Sequence, residues 1–224
     1  MGDYLNHELG YTCLGVRLVG HATRPKDMVR SHWTDWTASV EDGYNLLCGA
    51  ADNIYLVGLS MGGALSLLMS TRLGQRVKGV IAISTPYAMP DEHPAWQIKL
   101  YSYFKTYLPK TKDEPGTGWF DKESYKEHIS YPLNPLRSAA ELKILLDKMH
   151  VALPKVTVPV MLVHSRDDAY VLPENMEHIY AGLVNVSDKT KHYVTGSGHV
   201  VTRDAARHQV FEMARDFIKR IDQT

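Results

Sequence analysis

The chain has 224 residues, enough for one domain with a substantial core and room for an inserted subdomain. Hydrophobic residues make up 44% and charged residues 22%, and Lys plus Arg balance Asp plus Glu at 25 each. That balance excludes a basic field for nucleic acid or an anionic membrane surface, and it excludes an acidic solvating tail. Two cysteines, Cys13 and Cys48, are too few for a disulfide framework; they read as small buried hydrophobes and fit a reducing cytoplasm. The first residues, MGDYLNHELGY, have neither the basic nor the apolar region of a signal peptide, and no run of apolar residues is long enough to span a membrane.

In chain order, residues 11–19 (YTCLGVRLV) are apolar and β-branched and predict a buried strand, followed by the loop GHATRP. The spacing of Trp36, Val40, Tyr44 and Leu47 predicts a helix over 34–48, with Thr34 or Asp35 as its cap. A strand at 53–59 (NIYLVGL) runs into a helix of small and apolar residues ending near Gly74. Further strands are expected at 77–85, 158–165 and 191–196, with helices at 174–184 and 202–221. Strands alternating with helices predict an α/β fold, a mostly parallel sheet covered on both faces. Residues 86–155 break the rhythm: they are rich in proline and aromatics, then helical, and too long for a bare connection. They are expected to form a cap inserted into a core made of 1–85 and 156–224.

Within this frame, Gly58-Leu59-Ser60-Met61-Gly62-Gly63 places a G-x-S-x-G motif between a strand and a helix. A sharp turn there lifts a serine hydroxyl above the sheet edge, flanking glycines leave room for a strained backbone, and the Met61 N–H at the helix start can donate to an oxyanion. A serine hydroxyl needs a histidine to take its proton, and that histidine needs an acid to hold its tautomer. Of eleven histidines, His199 lies in a glycine-rich turn (Thr195-Gly196-Ser197-Gly198-His199) between a short strand and the last helix. His164 ends the preceding strand, where it could line the site without being the base. His192 lies within a strand, packed or exposed, and His178 and His208 are expected on solvated helix faces. Asp167 and Asp168 both follow the strand ending at His164. The spacing of Asp168 to Val171 and Pro173 favours Asp168 as the acid and leaves Asp167 a surface or loop-capping role.

With these residues in place, the chain from Asn6 onward resembles the small bacterial carboxylesterases and monoacylglycerol lipases of the α/β-hydrolase superfamily. The resemblance is carried by GYTCLGVRLVGHATRP, DWTASVEDGYNLL, the serine motif, VPVMLVHSRDDAYVLPENMEHIY and GSGHVVTRDAARHQVFEMARDFI. It implies an N-terminally truncated member, because the strands and the His-Gly oxyanion loop that precede the segment matching residues 1–10 have no counterpart here. Three origins stay open: an internal methionine of a longer gene, an active natural truncation, or a degenerate product. The strand at 11–19 could then close against 53–59, or a partner chain in a homodimer could fill the gap. Loss of one oxyanion donor costs about a hundred- to a thousandfold in turnover, so weakened hydrolysis is expected unless His21, a hydroxyl or a water substitutes.

The expected reaction is hydrolysis of a small-molecule ester of short- to medium-chain acyl groups, through an acyl-enzyme on Ser60 with His199 as base, Asp168 as orienter and no metal or organic cofactor. Trp96, Tyr101, Tyr103, Phe104, Tyr107, Trp119 and Phe120 are the candidate lining of an apolar pocket, with Leu145 and Met149 closing it. For each of these residues, packing of the cap on the body is the alternative. Two further readings stay open: a thioesterase, acyltransferase or peptidase on the same scaffold, and a non-catalytic remnant acting as a binding protein.

Overall fold

The computed structural model describes residues 1–89, 93–109 and 118–223. The elements run α1 (Gly2–Leu9), α2 (Pro25–Val29), α3 (Trp33–Cys48), β1 (Ile54–Leu59), α4 (Met61–Ser70), β2 (Val77–Ile83), α5 (Ala95–Tyr101), β3 (Tyr107–Pro109), α6 (Lys122–Lys126), β4 (Leu133–Pro135), α7 (Leu136–Ala152), β5 (Val160–Ser165), α8 (Glu174–Gly182), β6 (Lys189–Val194) and α9 (Arg207–Asp222). Among the described residues, β1, β2, β5 and β6 form one sheet in that order, parallel throughout. The short strands β3 and β4 pair antiparallel within residues 86–155.

β1, β2 and β5 are apolar at nearly every position, as in a parallel sheet covered on both faces, whereas the edge strand β6 is largely polar. Val80, Ala82, Val160 and Leu162 belong to one core cluster with Ala64 and Leu67 of α4, Leu146 and Met149 of α7, and Met176 and Ile179 of α8. The alternate residues Ile81, Ile83, Met161 and Val163 pack on the other face with Leu5 of α1 and Val210, Ala214 and Phe217 of α9. The two-residue period of a strand thus feeds two helical layers. A buried carboxylate joins the elements beyond the sheet: Glu141 of α7 accepts from the Trp33 N–H at 3.2 Å, from Lys99 Nζ at 3.1 Å and from His32 Nδ1 at 3.2 Å.

The strands expected at 53–59, 77–85, 158–165 and 191–196 are present as β1, β2, β5 and β6, within two residues at each end. The strand expected at 11–19 is not. This segment pairs with no strand among the described residues, and its apolar side chains Leu14, Val16 and Val19 stay 39–44% exposed. It lies along α3, where Val16 fills the space beside Gly43 and the Trp36 indole donates to the Val19 carbonyl at 3.1 Å. β-propensity describes side chains that fit a pleated surface; without a neighbouring strand to bond, it has nothing to act on. Cys13 is correspondingly exposed and Cys48 only half-buried, which corrects the expectation that both are buried. The terminal helix begins at Arg207 rather than at 202; residues 200–206 form turns in which the Val200 carbonyl accepts the Arg203 and Asp204 N–H groups and the Asp204 carboxylate accepts the Ala205 N–H.

Candidate active site

The site is assembled where β1, β5 and β6 end. Ser60 sits between β1 and α4 with φ 55° and ψ −123°, a conformation that a side-chain-bearing residue adopts only under constraint. The constraint is local. Its N–H donates to the Ile83 carbonyl of β2 at 2.8 Å, while its carbonyl accepts from the Gly63 N–H at 2.9 Å as α4 begins. A Cβ on Gly58 would strike the Gly62 carbonyl group, and one on Gly63 would strike the Thr85 hydroxyl. At Gly58 the requirement is steric, because strand and helix touch backbone to backbone across the turn, whereas a Cβ on Gly62 would meet nothing. Met61 is the first residue of α4, so its N–H belongs to the first turn, where a helix leaves its amides without intrahelical acceptors.

Ser60 Oγ lies 2.9 Å from His199 Nε2, and His199 Nδ1 lies 2.8 Å from Asp168 Oδ2. A carboxylate only accepts, so Nδ1–H donates to Asp168 and Nε2 is left to accept from the serine hydroxyl. Asp168 is buried, and its other oxygen accepts the Tyr170 and Val171 N–H groups at 2.9 Å each. Burial pushes its carboxyl up, but hydrogen bonds from His164 and His199 and the nearby His199 charge outweigh that and hold it well below the usual carboxylate range.

The loops that carry the acid and the base are tied to one another. The Ser165 hydroxyl donates to the Ser197 carbonyl, Arg166 N–H donates to the Val194 carbonyl at 2.9 Å, and Asp167 Oδ2 accepts the Gly196 N–H at 2.7 Å. Asp167 is thus a loop-capping residue rather than the acid beside His199. His192 pairs in register with Val163 on β6, and His178 and His208 are exposed on helices. His21 packs edge-on against Trp36, with its ring nitrogen 3.4 Å from the Val19 carbonyl, and among the described residues it makes no hydrogen bond to Ser60.

Asp204 was missed by sequence reasoning. It is fully buried, and its carboxylate accepts N–H groups from Gly198 at 2.6 Å, Asp121 at 2.7 Å, Ala205 at 2.8 Å and Phe120 at 3.0 Å. One side chain therefore fastens the histidine loop to residues 120–121. A Cβ on Gly198 would strike the Gly118 carbonyl, so the two segments also touch directly. Arg207 then pairs with Asp121 at 2.6 Å. The only sequence signal for this role was an acid at an apolar-periodic helix position.

The candidate pocket residues separate. Leu145 and Met149 are fully buried in core clusters, where they pack α7 onto α4 and the sheet; this corrects the expectation that they close a pocket. Trp96, Tyr103 and Phe104 are 64%, 72% and 84% exposed, and Tyr101 and Phe120 are also exposed. Trp119 is half-buried, its ring 4.9 Å from His128 and 5.7 Å from Tyr125. Among the described residues no cluster of side chains is arranged to hold a metal ion, and no helix is long and apolar enough to cross a membrane.

Comparison with known proteins extends this geometry. The family model described as serine aminopeptidase, S33 (Hydrolase_4) matches residues 1–206. A carboxylesterase of Bacillus subtilis (strain 168) is 31% identical over 225 aligned positions, covering 99% of this chain and 86% of the relative. A thermostable monoacylglycerol lipase of Bacillus sp. (strain H-257) is 28% identical over 211 positions, covering 94% and 80%. A solved structure from work on LipS and LipT, two metagenome-derived lipolytic enzymes, superposes with a TM-score of 0.86 at 27% identity, covering 98% of this chain and 86% of that one. A soluble variant of monoglyceride lipase from Saccharomyces cerevisiae shares the fold with a TM-score of 0.71 at 16% identity, covering 92% and 75%. The parallel sheet, the serine turn that opens α4 and these matches together establish that the chain has the α/β-hydrolase fold and belongs to the serine aminopeptidase, S33 (Hydrolase_4) family.

Proposed function

We propose that this chain hydrolyses carboxylic esters of short- to medium-chain acyl groups through an acyl-enzyme on Ser60. The observation that carries the reading is the unbroken chain of hydrogen bonds from Ser60 Oγ to His199 Nε2 and from His199 Nδ1 to Asp168 Oδ2. The carboxylesterase and monoacylglycerol lipase among its relatives support ester substrates.

In the first step His199 Nε2 takes the Ser60 proton as Oγ attacks the ester carbonyl carbon, and the Met61 N–H stabilises the oxyanion. The imidazolium, held by Asp168, returns its proton to the leaving alcohol as the C–O bond breaks. His199 then takes a proton from water, whose oxygen attacks the acyl carbon, and the acid departs as Ser60 regains its proton. Of residues 86–155, the described segments ahead of α7 serve as a cap over this site, while α7 itself packs on α4 and the sheet. Trp119 is the cap aromatic best supported as a substrate contact, because Gly118 beside it abuts Gly198, the neighbour of His199. Free cysteines and the balanced charge support a cytoplasmic place of action.

The test is hydrolysis of p-nitrophenyl butyrate by the chain and by Ser60→Ala, with an amino-acid p-nitroanilide as the amide control. Ester turnover that Ser60→Ala abolishes, with little turnover of the anilide, is the expected outcome. Equal background rates in both proteins would sink the reading, and preference for the anilide would replace esterase by peptidase.

A further inference from the structure

His164, the penultimate residue of β5, is 1% exposed and sits against the acid of the site rather than in the apolar core. Its Nε2 lies 3.2 Å from Asp168 Oδ2 and 2.9 Å from the Val171 carbonyl oxygen. Both neighbours can only accept, so Nε2 carries a proton and donates. Its Nδ1 is buried and has no hydrogen-bond partner among the described residues. A proton there would be an orphaned buried N–H, so the Nε2–H tautomer is the one that these contacts fit. Asp168 Oδ2 therefore receives two imidazole N–H groups, from His199 at 2.8 Å and from His164, while Oδ1 is occupied by two backbone amides.

We propose that His164 is a positioning residue for the Ser60 reaction, resting on the triad reading above: by donating to the same carboxylate oxygen, it fixes Asp168 against His199 and tempers the negative charge that His199 meets. A carboxylate that already gives part of its charge to one donor attracts an imidazolium less strongly. Without His164, His199 would hold its second proton more tightly, and the base would be lost at a higher pH.

The surroundings leave this effect to His164. On β6 its register partner is Tyr193, whose hydroxyl donates to Glu177 and whose ring lies under the Arg166 guanidinium. Past the β2 end lies Ser84, next to the Ile83–Val163 register pair. His199 faces Ser60 and the Tyr170 ring at 5.1 Å, and the carboxylates of Asp167 and Asp204 are committed to backbone amides of its loop.

The experiment compares kcat/KM against pH for the unchanged chain, His164→Leu, His164→Asn and His164→Gln. A glutamine places its amide nitrogen near the position of Nε2; an asparagine falls short, and leucine has no donor. The expected result for Leu and Asn is an acid limb raised by about 0.5 to 1 pH unit, with kcat about tenfold lower and KM little changed. Gln should restore the limb. An NMR titration of the His199 imidazole in each resting protein reads the same change without turnover. An unmoved limb and titration in His164→Leu, or in His164→Asn if the leucine variant does not fold, would overturn the proposal, as would an equal displacement in His164→Gln. Failure of the triad reading looks different: Ser60→Ala would keep its activity, or His199 would titrate identically with and without Asp168.

Discussion

Residues 11–19 and 158–165 are nearly interchangeable as composition, each a run of apolar and β-branched residues, yet they end in opposite states. The second becomes β5, buried at every position, hydrogen-bonded on both sides and carrying His164 and the approach to Asp168. The first becomes an unpaired segment against α3 with its valines partly in water. A strand is stabilised by its neighbours: β5 lies between β2 and β6, whereas 11–19 has no ladder partner among the described residues. The functional groups follow the same division. They gather where chain segments hold one another, at the ends of β1, β5 and β6, and not on the loosely bound side.

Breaking the well-held side should have the largest effect. Asp168→Asn should lower turnover about ten-thousandfold, because His199 then loses the acceptor that sets its tautomer; steady-state ester hydrolysis measures it. The same substitution reports on pH. The folded Asp168 carboxyl is held below its unfolded value. Its stabilising contribution is therefore fully present above the unfolded range near about pH 4 and is lost as pH falls through the lower folded value. The stability advantage of the unchanged chain over Asp168→Asn should accordingly shrink only in strong acid, as read from urea melts across pH.

Asp204→Ala comes next. It leaves the N–H groups of Gly198, Phe120 and Asp121 without their buried acceptor and should cost about 3 kcal/mol in urea unfolding. Proteolysis should then cut first in the histidine loop or near residue 120, since that carboxylate fastens them together. The smallest change sharpens the comparison itself. Val163→Ala, in the buried centre of β5, should cost about 2 kcal/mol, whereas Val16→Ala should cost less than about 0.5 kcal/mol. Equal costs in the two segments would mean that 11–19 is held as firmly as a strand.

Local information sufficed wherever the pattern was dense. The serine turn announces itself because strand and helix meet backbone to backbone at Gly58, which only glycine permits there, and because Gly63 next to the motif leaves room for the Thr85 hydroxyl. The spacing of Asp168 before Val171 and Pro173 reflects a loop in which the carboxylate accepts the Val171 amide, three residues on. His199 was readable because it follows a short strand in a turn of small residues. The sequence by itself therefore determined the four strands of the sheet with the helices between them, the parallel α/β class and the three residues brought together at the sheet edge, since each rests on periodicity or on contacts between near neighbours. Tertiary structure alone decided that 11–19 is not a strand, that Leu145 and Met149 belong to the core, and that Asp204 joins segments 84 residues apart. It alone placed a second imidazole on Asp168. These depend on which distant groups share a buried space, and a one-dimensional pattern does not carry that.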